Sequence, residues 1–526
     1  MSASEEKRRR ELEREAKKSK KEAARLEESK KQKKRKMQFK IAAAIALVLI
    51  VLILFVNSNV LYSGVKAIQI GDYEYTNAEF QYFYKEAYYR FSSSNQQYLS
   101  MLLDPQVPLS RQEISEGVTW ADHFRKLAIN DMTSVTAIYD KAIKEGYTLD
   151  ESVNADLDSQ MESMTDMAKN YGYKNADGYF AAMYGKGVTA ETVRKLVEMK
   201  AIATDYSKAQ YEGFNFDSAA LKQAYAERAD EFDNFSYLYY LVEAEKEAVQ
   251  GEGEDTLEQK VTEETMRSAM QEAESIAEEY NAKQKESGIQ SAELSETAFR
   301  ELLTNKLSGA DIKEQKGLNG SSLKAIEPSV FEKFTSNDAK LYNAYVVEKE
   351  GIGCYVVLFL DRDKNEYKTA SFRHILTSAT DEDGNGTVDE AELNKAKEQS
   401  EAILTEFNSG VRSEERFAEL ANEKSDDPGS NTNGGLYENV SKGAMVAPIN
   451  DFIFAPGRKH GDTIIVQNNE GYSGSHLVYF SGSGKPYCDL LADQLLRNEE
   501  YEKWEVEIIE GWEFKPNALV FWFAEK

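Results

Sequence analysis

The chain holds four histidines, and two of them, His374 and His476, are placed where they could do chemistry together. Each sits in a short run of apolar and β-branched residues, SFRHILT (371–377) and GSHLVYF (474–480), of the kind that forms a strand. The two runs open and close one stretch of about 110 residues. In a fold whose first and last strands are neighbours, the two imidazoles would meet. A neutral imidazole carries one donor and one acceptor, so a facing pair can hold each other's tautomers through a hydrogen bond. The other two histidines, His123 and His460, stand in no such pattern.

Strands and helices must position this pair, and the chain writes that layout twice. SYLYYLV (236–242) aligns with SFRHILT, and GCYVVLF (353–359) aligns with GSHLVYF. In both copies an acidic stretch, read as a loop, and then a helix lie between the end strands. The first copy's long helix is expected over about residues 263–285. We read this as an internal duplication. Tyr239 and Tyr355 occupy the first copy's places for His374 and His476, so chemistry that needs the histidines belongs to the second copy.

The second copy resembles the parvulin family of peptidyl-prolyl isomerases. The resemblance is carried by SFRHILT, the helix ending Phe407-Asn408-Ser409-Gly410, RFAELANEKSDD (416–427), Gly434-Gly435-Leu436, GAMVAPINDFIF (443–454), Gly461 and the closing GSHLVYF. It implies an α+β domain in which His374 and His476 are the paired histidines and Asp427 takes a position that is Cys or Asp in the family. It also implies that Met445, Ile449 and Phe454 line a pocket for proline. Ile449 stands where the family commonly has Phe, GGLYENV lacks the usual Asp and Gly around its Leu, and the loop NNEGYSGS is longer than usual. The implied reaction is rotation about an X–Pro bond, whose barrier of roughly 18–20 kcal/mol comes from amide resonance. Such chemistry requires no metal, cofactor or covalent nucleophile.

Residues 381–392, DEDGNGTVDEAE, match the spacing of an EF-hand loop. Asp381, Asp383, Asn385, the Thr387 carbonyl, Asp389 and Glu392 fall at the ligand positions, and Gly386 at the sharp turn. A strand rather than a helix precedes the loop. The expected role of Ca²⁺ here is structural, fixing the start of the helix that follows.

Residues 41–56 read IAAAIALVLIVLILFV, without a polar side chain. The run is somewhat short of the ~20 residues that span a bilayer, but Lys36 and Lys40 can snorkel on one side while Val60 and Leu61 extend the other. A charged leader of about 40 residues and the lack of an Ala-x-Ala site argue for an uncleaved anchor over a signal peptide. Residues 1–40 carry a net charge of +9 and the remainder −36. By the positive-inside rule the leader stays cytoplasmic and the acidic body lies outside. That acidity also excludes binding to nucleic-acid phosphates. Two cysteines, Cys354 and Cys488, make no disulfide framework and no zinc motif.

The expected architecture is a multidomain α+β protein. A leader (1–40) and a transmembrane anchor (41–57) precede an all-α, chaperone-like module (58–232). A degenerate parvulin-like domain (233–365) and a parvulin domain (366–483) follow, then a C-terminal helix and tail (484–526) that pack back. By the resemblance, extending here to extracytoplasmic foldases of the PrsA and SurA type, the protein isomerises X–Pro bonds in unfolded or exported polypeptides and acts as a chaperone. The rivals are a binding-only chaperone and an envelope-assembly scaffold, both with inactive domains.

Overall fold

The computed structural model describes residues 3–250, 257–382, 384–469 and 473–521. It divides into two compact units, Met1–Phe214 with Glu500–Lys526, and Asn215–Glu499.

The first unit begins with one continuous helix, Ala3–Asn57. Its apolar side chains, Ile41, Leu47, Leu49 and Ile53 among them, are exposed, the reverse of a helix packed in a core. Among the described residues this is the one helix long and apolar enough to cross a membrane. The helices Asn77–Ser94, Trp120–Lys144 and Ala190–Gly213 supply most of the core, with Phe80, Phe83, Met132, Val193 and Leu196 buried. The first starts at a capping box in which the Thr76 hydroxyl accepts from the Glu79 amide and the Glu79 carboxylate accepts from the Thr76 amide.

This unit is not all-α. Strands Lys66–Ile70 and Tyr73–Thr76 form an antiparallel sheet whose third member is Phe514–Pro516, from the far end of the chain. The returning segment also seats Phe521 against Phe80, ring centroids 4.8 Å apart, and Trp504 against Tyr206 at 6.0 Å. A local pattern cannot register a strand that pairs across more than 400 residues. The return starts at Glu500; residues 484–499 belong to the second unit. The helix Ser218–Glu227 and the turn Ala229–Phe232 lie in the second unit. There the Phe232 carbonyl accepts from Asn319 and Asn365, and Tyr225 donates to Asp233.

The second unit contains the two copies. In the first, strands β1 (Asn234–Glu243), β2 (Lys313–Asn319), β3 (Ala344–Lys349) and β4 (Gly353–Asp363) form a sheet of order β2-β1-β4-β3. In the second, β5 (Lys368–Ser378), β6 (Leu436–Val440), β7 (Thr463–Asn468) and β8 (Gly474–Pro486) repeat it as β6-β5-β8-β7. Each sheet is antiparallel, with its first and last strands paired at the centre. Two helices cover one face of each: Glu263–Ser287 and Ala292–Lys306, then Glu390–Ser409 and Glu414–Lys424. The first copy's acidic stretch, expected as a loop, instead pairs Lys246–Gln250 with Leu257–Val261 as a hairpin. Val249 and Val261 supply β-forming character to its two strands.

Strand periodicity explains where the site faces. Along β5, Ile375 points to the helix-covered face, where it packs with Phe407 and Phe417. Phe372 packs on the opposite face with Val478, Phe480 and the short helix Ala447–Ile453. His374 lies between Phe372 and Leu376 on that face, and His476 aligns with Val478 and Phe480. Full burial of a side chain such as Phe372 contributes roughly 1.5–3 kcal/mol, so a one-residue register slip that turned this face outward would be strongly disfavoured.

Candidate active site

Pairing β5 with β8 sets Leu376 opposite His476 and His374 opposite Val478. The two histidines are therefore diagonal neighbours on one face, a spacing their rings can bridge. His374 Nε2 lies 2.8 Å from His476 Nδ1, and the rings are nearly parallel with centroids 4.9 Å apart. His374 Nδ1 lies 3.4 Å from Asp427 Oδ2. A carboxylate only accepts, so Nδ1 of His374 carries the proton and Nε2 accepts from Nδ1–H of His476. One carboxylate thus fixes the tautomers of both rings.

Asp427 is held in turn by its neighbours. The Ser430 hydroxyl donates to Oδ2 at 2.5 Å, the Tyr437 hydroxyl to the same oxygen at 2.8 Å, and the Gly429 amide to Oδ1 at 3.1 Å. The His374 imidazole, with Ser430, Tyr437 and Gly429, holds this carboxyl well below the usual carboxylate range, against burial acting the other way. The loop carrying it is fastened to β5. The Asp426 amide donates to the Leu376 carbonyl at 2.9 Å, and the Leu376 amide donates to Ser425 at 3.1 Å. On the other flank the His374 amide donates to the Gly435 carbonyl at 2.8 Å. Gly435 has φ +71°, and a Cβ there would stand 2.3 Å from the His374 carbonyl, so only glycine lets the backbone approach this closely.

The network forms one edge of a cleft of about 230 Å³. Phe372, Leu376, Ala444, Met445, Val446 and Ile449 make the apolar wall; His374, Asp427, Tyr437, Asn468 and His476 make the polar edge. Tyr437 stacks on Phe372 with ring centroids 5.2 Å apart, tying wall to edge. Of the three residues expected at a proline pocket, Met445 and Ile449 are here. Phe454, just past the end of the helix Ala447–Ile453, packs edge-on against Tyr367 at 6.0 Å and against the same apolar cluster as Ile449 and Phe452. Phe372 and Leu376 were absent from the expected set but are legible as the same-face neighbours of His374. Ser430 and Tyr437 were missed, and no spacing rule would have found them, since both reach Asp427 from a loop and an edge strand.

The first copy preserves the register without the histidines. Tyr355 faces Leu241 and Tyr239 faces Val357, matching the pairings of His476 and His374. Their rings meet edge to face, centroids 5.3 Å apart. Residues 307–312 join the second helix to β2, where the other copy has the longer 425–435 and its Asp427. On the equivalent face Phe334 and Phe359 stack at 4.3 Å.

In the loop 381–392, the Asp381 carboxylate accepts from the amides of Gly384, Asn385 and Gly386, and Asn385 accepts from Thr387. Glu392 accepts from the Glu382 and Asp389 amides, the latter within the capping box of the helix Glu390–Ser409. Asp383 lies outside the described residues. Among the described residues no group of three or more His, Cys, Asp or Glu side chains converges as a metal site.

Residues 355–480 match the family model of the PPIC-type PPIase domain. The matched stretch takes in the last strand of the first copy and nearly all of the second. The protein thus carries a parvulin-type prolyl isomerase domain. Among solved structures, the chain is similar to the peptidylprolyl isomerase PrsA of Bacillus anthracis, at 19% identity over 45% of this chain and 86% of that one, TM-score 0.18. It is similar to PrsA of Bacillus cereus at 17% identity over 64% and 95%, TM-score 0.18. A third similarity is to a structure from a study of PEB4 and Cj1289, SurA-like chaperones of Campylobacter jejuni, at 14% identity over 79% and 89%, TM-score 0.13. No curated protein sequence matches this chain.

Proposed function

We propose that the protein is a membrane-anchored, extracytoplasmic foldase whose second copy isomerises X–Pro bonds in unfolded or newly exported polypeptides. The observation that carries this reading is the His374–His476–Asp427 network set along one edge of an apolar cleft. In a planar amide, resonance places negative charge on oxygen and positive charge on nitrogen. Twisting the bond removes that polarity, so an apolar wall around the proline favours the twisted form over the planar one. The wall of Phe372, Leu376, Met445 and Ile449 suits the ring, and the hydrogen-bonded edge fixes the peptide against it. The anchoring part rests on the exposed apolar run of the helix Ala3–Asn57 and on the charge contrast across it.

The test is cis/trans exchange of short X–Pro peptides by NMR with the full chain in detergent. Uncatalysed exchange takes tens to hundreds of seconds. Acceleration is expected from the wild type and not from His374→Ala/His476→Ala. A folded wild type without acceleration would leave the binding-only chaperone, the rival that the tyrosine-bearing first copy favours.

The calcium reading of residues 381–392 rests on donor spacing. Each Glu392 carboxylate oxygen accepts one amide and has a second lone pair to offer a cation. Millimolar Ca²⁺ is expected to raise the Tm of the second unit, EGTA to reverse the shift and Glu392→Gln to abolish it. An unchanged Tm would remove calcium from the picture.

A further inference from the structure

One groove in the first unit has no role in the isomerase reading. It holds about 540 Å³, within the ~300–1,000 Å³ usual for ligand sites, between the helix Asn77–Ser94 and the loop that follows. Its walls are mostly apolar: Tyr88, Leu103, Pro105, Val107 and Leu109. The loop is locked rather than loose. The Gln112 side chain accepts from the Asp104 amide at 2.8 Å and donates to the carbonyls of Asp104 at 2.9 Å and Val107 at 2.6 Å. Two prolines stiffen it further.

The single cation lining this groove is Lys85. Its ammonium stands over the Tyr88 ring at 5.7 Å and, among the described residues, has no carboxylate within ion-pair distance. The Asp104 carboxylate is engaged by the Gln106 amide. Burial pushes the Lys85 pKa down, as an uncompensated ammonium should show. A half-buried cation walled by apolar groups is matched by an anion that carries an apolar body. Gln96 and Ser100 line the same groove and can serve the amides of a peptide, which a hydrocarbon tail does not need.

We infer that this groove captures the free C-terminal carboxylate of a polypeptide ending in an apolar residue, with Lys85 as the anionic anchor. The inference rests on the reading of the chain as one that binds polypeptides, but not on its isomerase activity. The experiment is fluorescence polarisation with the full chain in detergent. The probes are labelled, proline-free peptides ending in Leu, with a free or an amidated C-terminus, and dodecanoate as competitor. The free acid is expected to bind at least tenfold more tightly than the amide. Lys85→Met should erase that difference, Lys85→Arg should keep it, and X–Pro exchange should be unaffected by either. Equal binding of acid and amide to the wild type would overturn the inference. So would displacement of the peptide by dodecanoate at lower concentration than the free-acid peptide itself needs, which would assign the groove to lipid carboxylates.

Discussion

At the scale of the residue, Asp427 governs the site. It accepts from His374, Ser430, Tyr437 and the Gly429 amide, and no other carboxylate reaches the histidine pair among the described residues. Asp427→Asn keeps the shape but turns one acceptor oxygen into a donor. A donor would then face a donor, leaving a buried polar group unsatisfied at a cost of about 1–3 kcal/mol. Urea unfolding of the second unit should show that loss at pH 7, and X–Pro exchange should slow at least tenfold. The pH dependence has a definite sign. The folded pKa of Asp427 lies below its unfolded value of about 3.9. Its contribution is therefore complete above roughly pH 4 and is lost as the pH falls further. The gap between wild type and Asp427→Asn should accordingly narrow between pH 4 and pH 3. A constant gap would mean that the carboxylate's charge is not what the network needs.

At the scale of the element, the two copies form a natural control. Strand order and register agree, so the backbone delivers Tyr239 and Tyr355 to the places of the histidines. What differs is the segment after the second helix, 307–312 against 425–435, and with it the carboxylate. Installing imidazoles alone should therefore fail. Tyr239→His/Tyr355→His, made in the His374→Ala/His476→Ala background, is expected to give no X–Pro acceleration in the NMR assay. Measurable activity would show that the paired rings suffice without Asp427. The residues that each copy places on these faces were readable from strand periodicity. The missing loop was not, because its importance lies in hydrogen bonds to β5 that cross 49 and more residues.

At the scale of the whole molecule, the first unit is closed by residues 514–521. Phe514–Pro516 completes the sheet against Lys66–Ile70, and Phe521 fills the core beside Phe80. Deleting residues 510–526 should expose Ile68, Ile70 and Phe80 and lower the thermal stability of the first unit by several degrees. The X–Pro exchange rate should stay at its full-length value, since no residue of the cleft lies in either part of that unit. Differential scanning calorimetry beside the NMR assay checks both halves. Loss of exchange on truncation would show that the second unit needs the first.

The sequence by itself determined which face of each strand is apolar, that the layout is written twice, and which copy carries imidazoles. These follow from side-chain type and a period of two, which are properties of the chain alone. Asp427, Met445 and Ile449 were marked by the resemblance to the parvulin family. Tertiary structure alone decided that ring nitrogens of His374 and His476 sit 2.8 Å apart, that Tyr437 and Ser430 complete the carboxylate's shell, and that Phe454 meets Tyr367. It likewise decided that the chain's end finishes a sheet begun near residue 66. The physical reason is the same in each case. Hydrogen bonds and close packing between distant segments depend on where the backbone brings them, and local pattern carries no record of that distance.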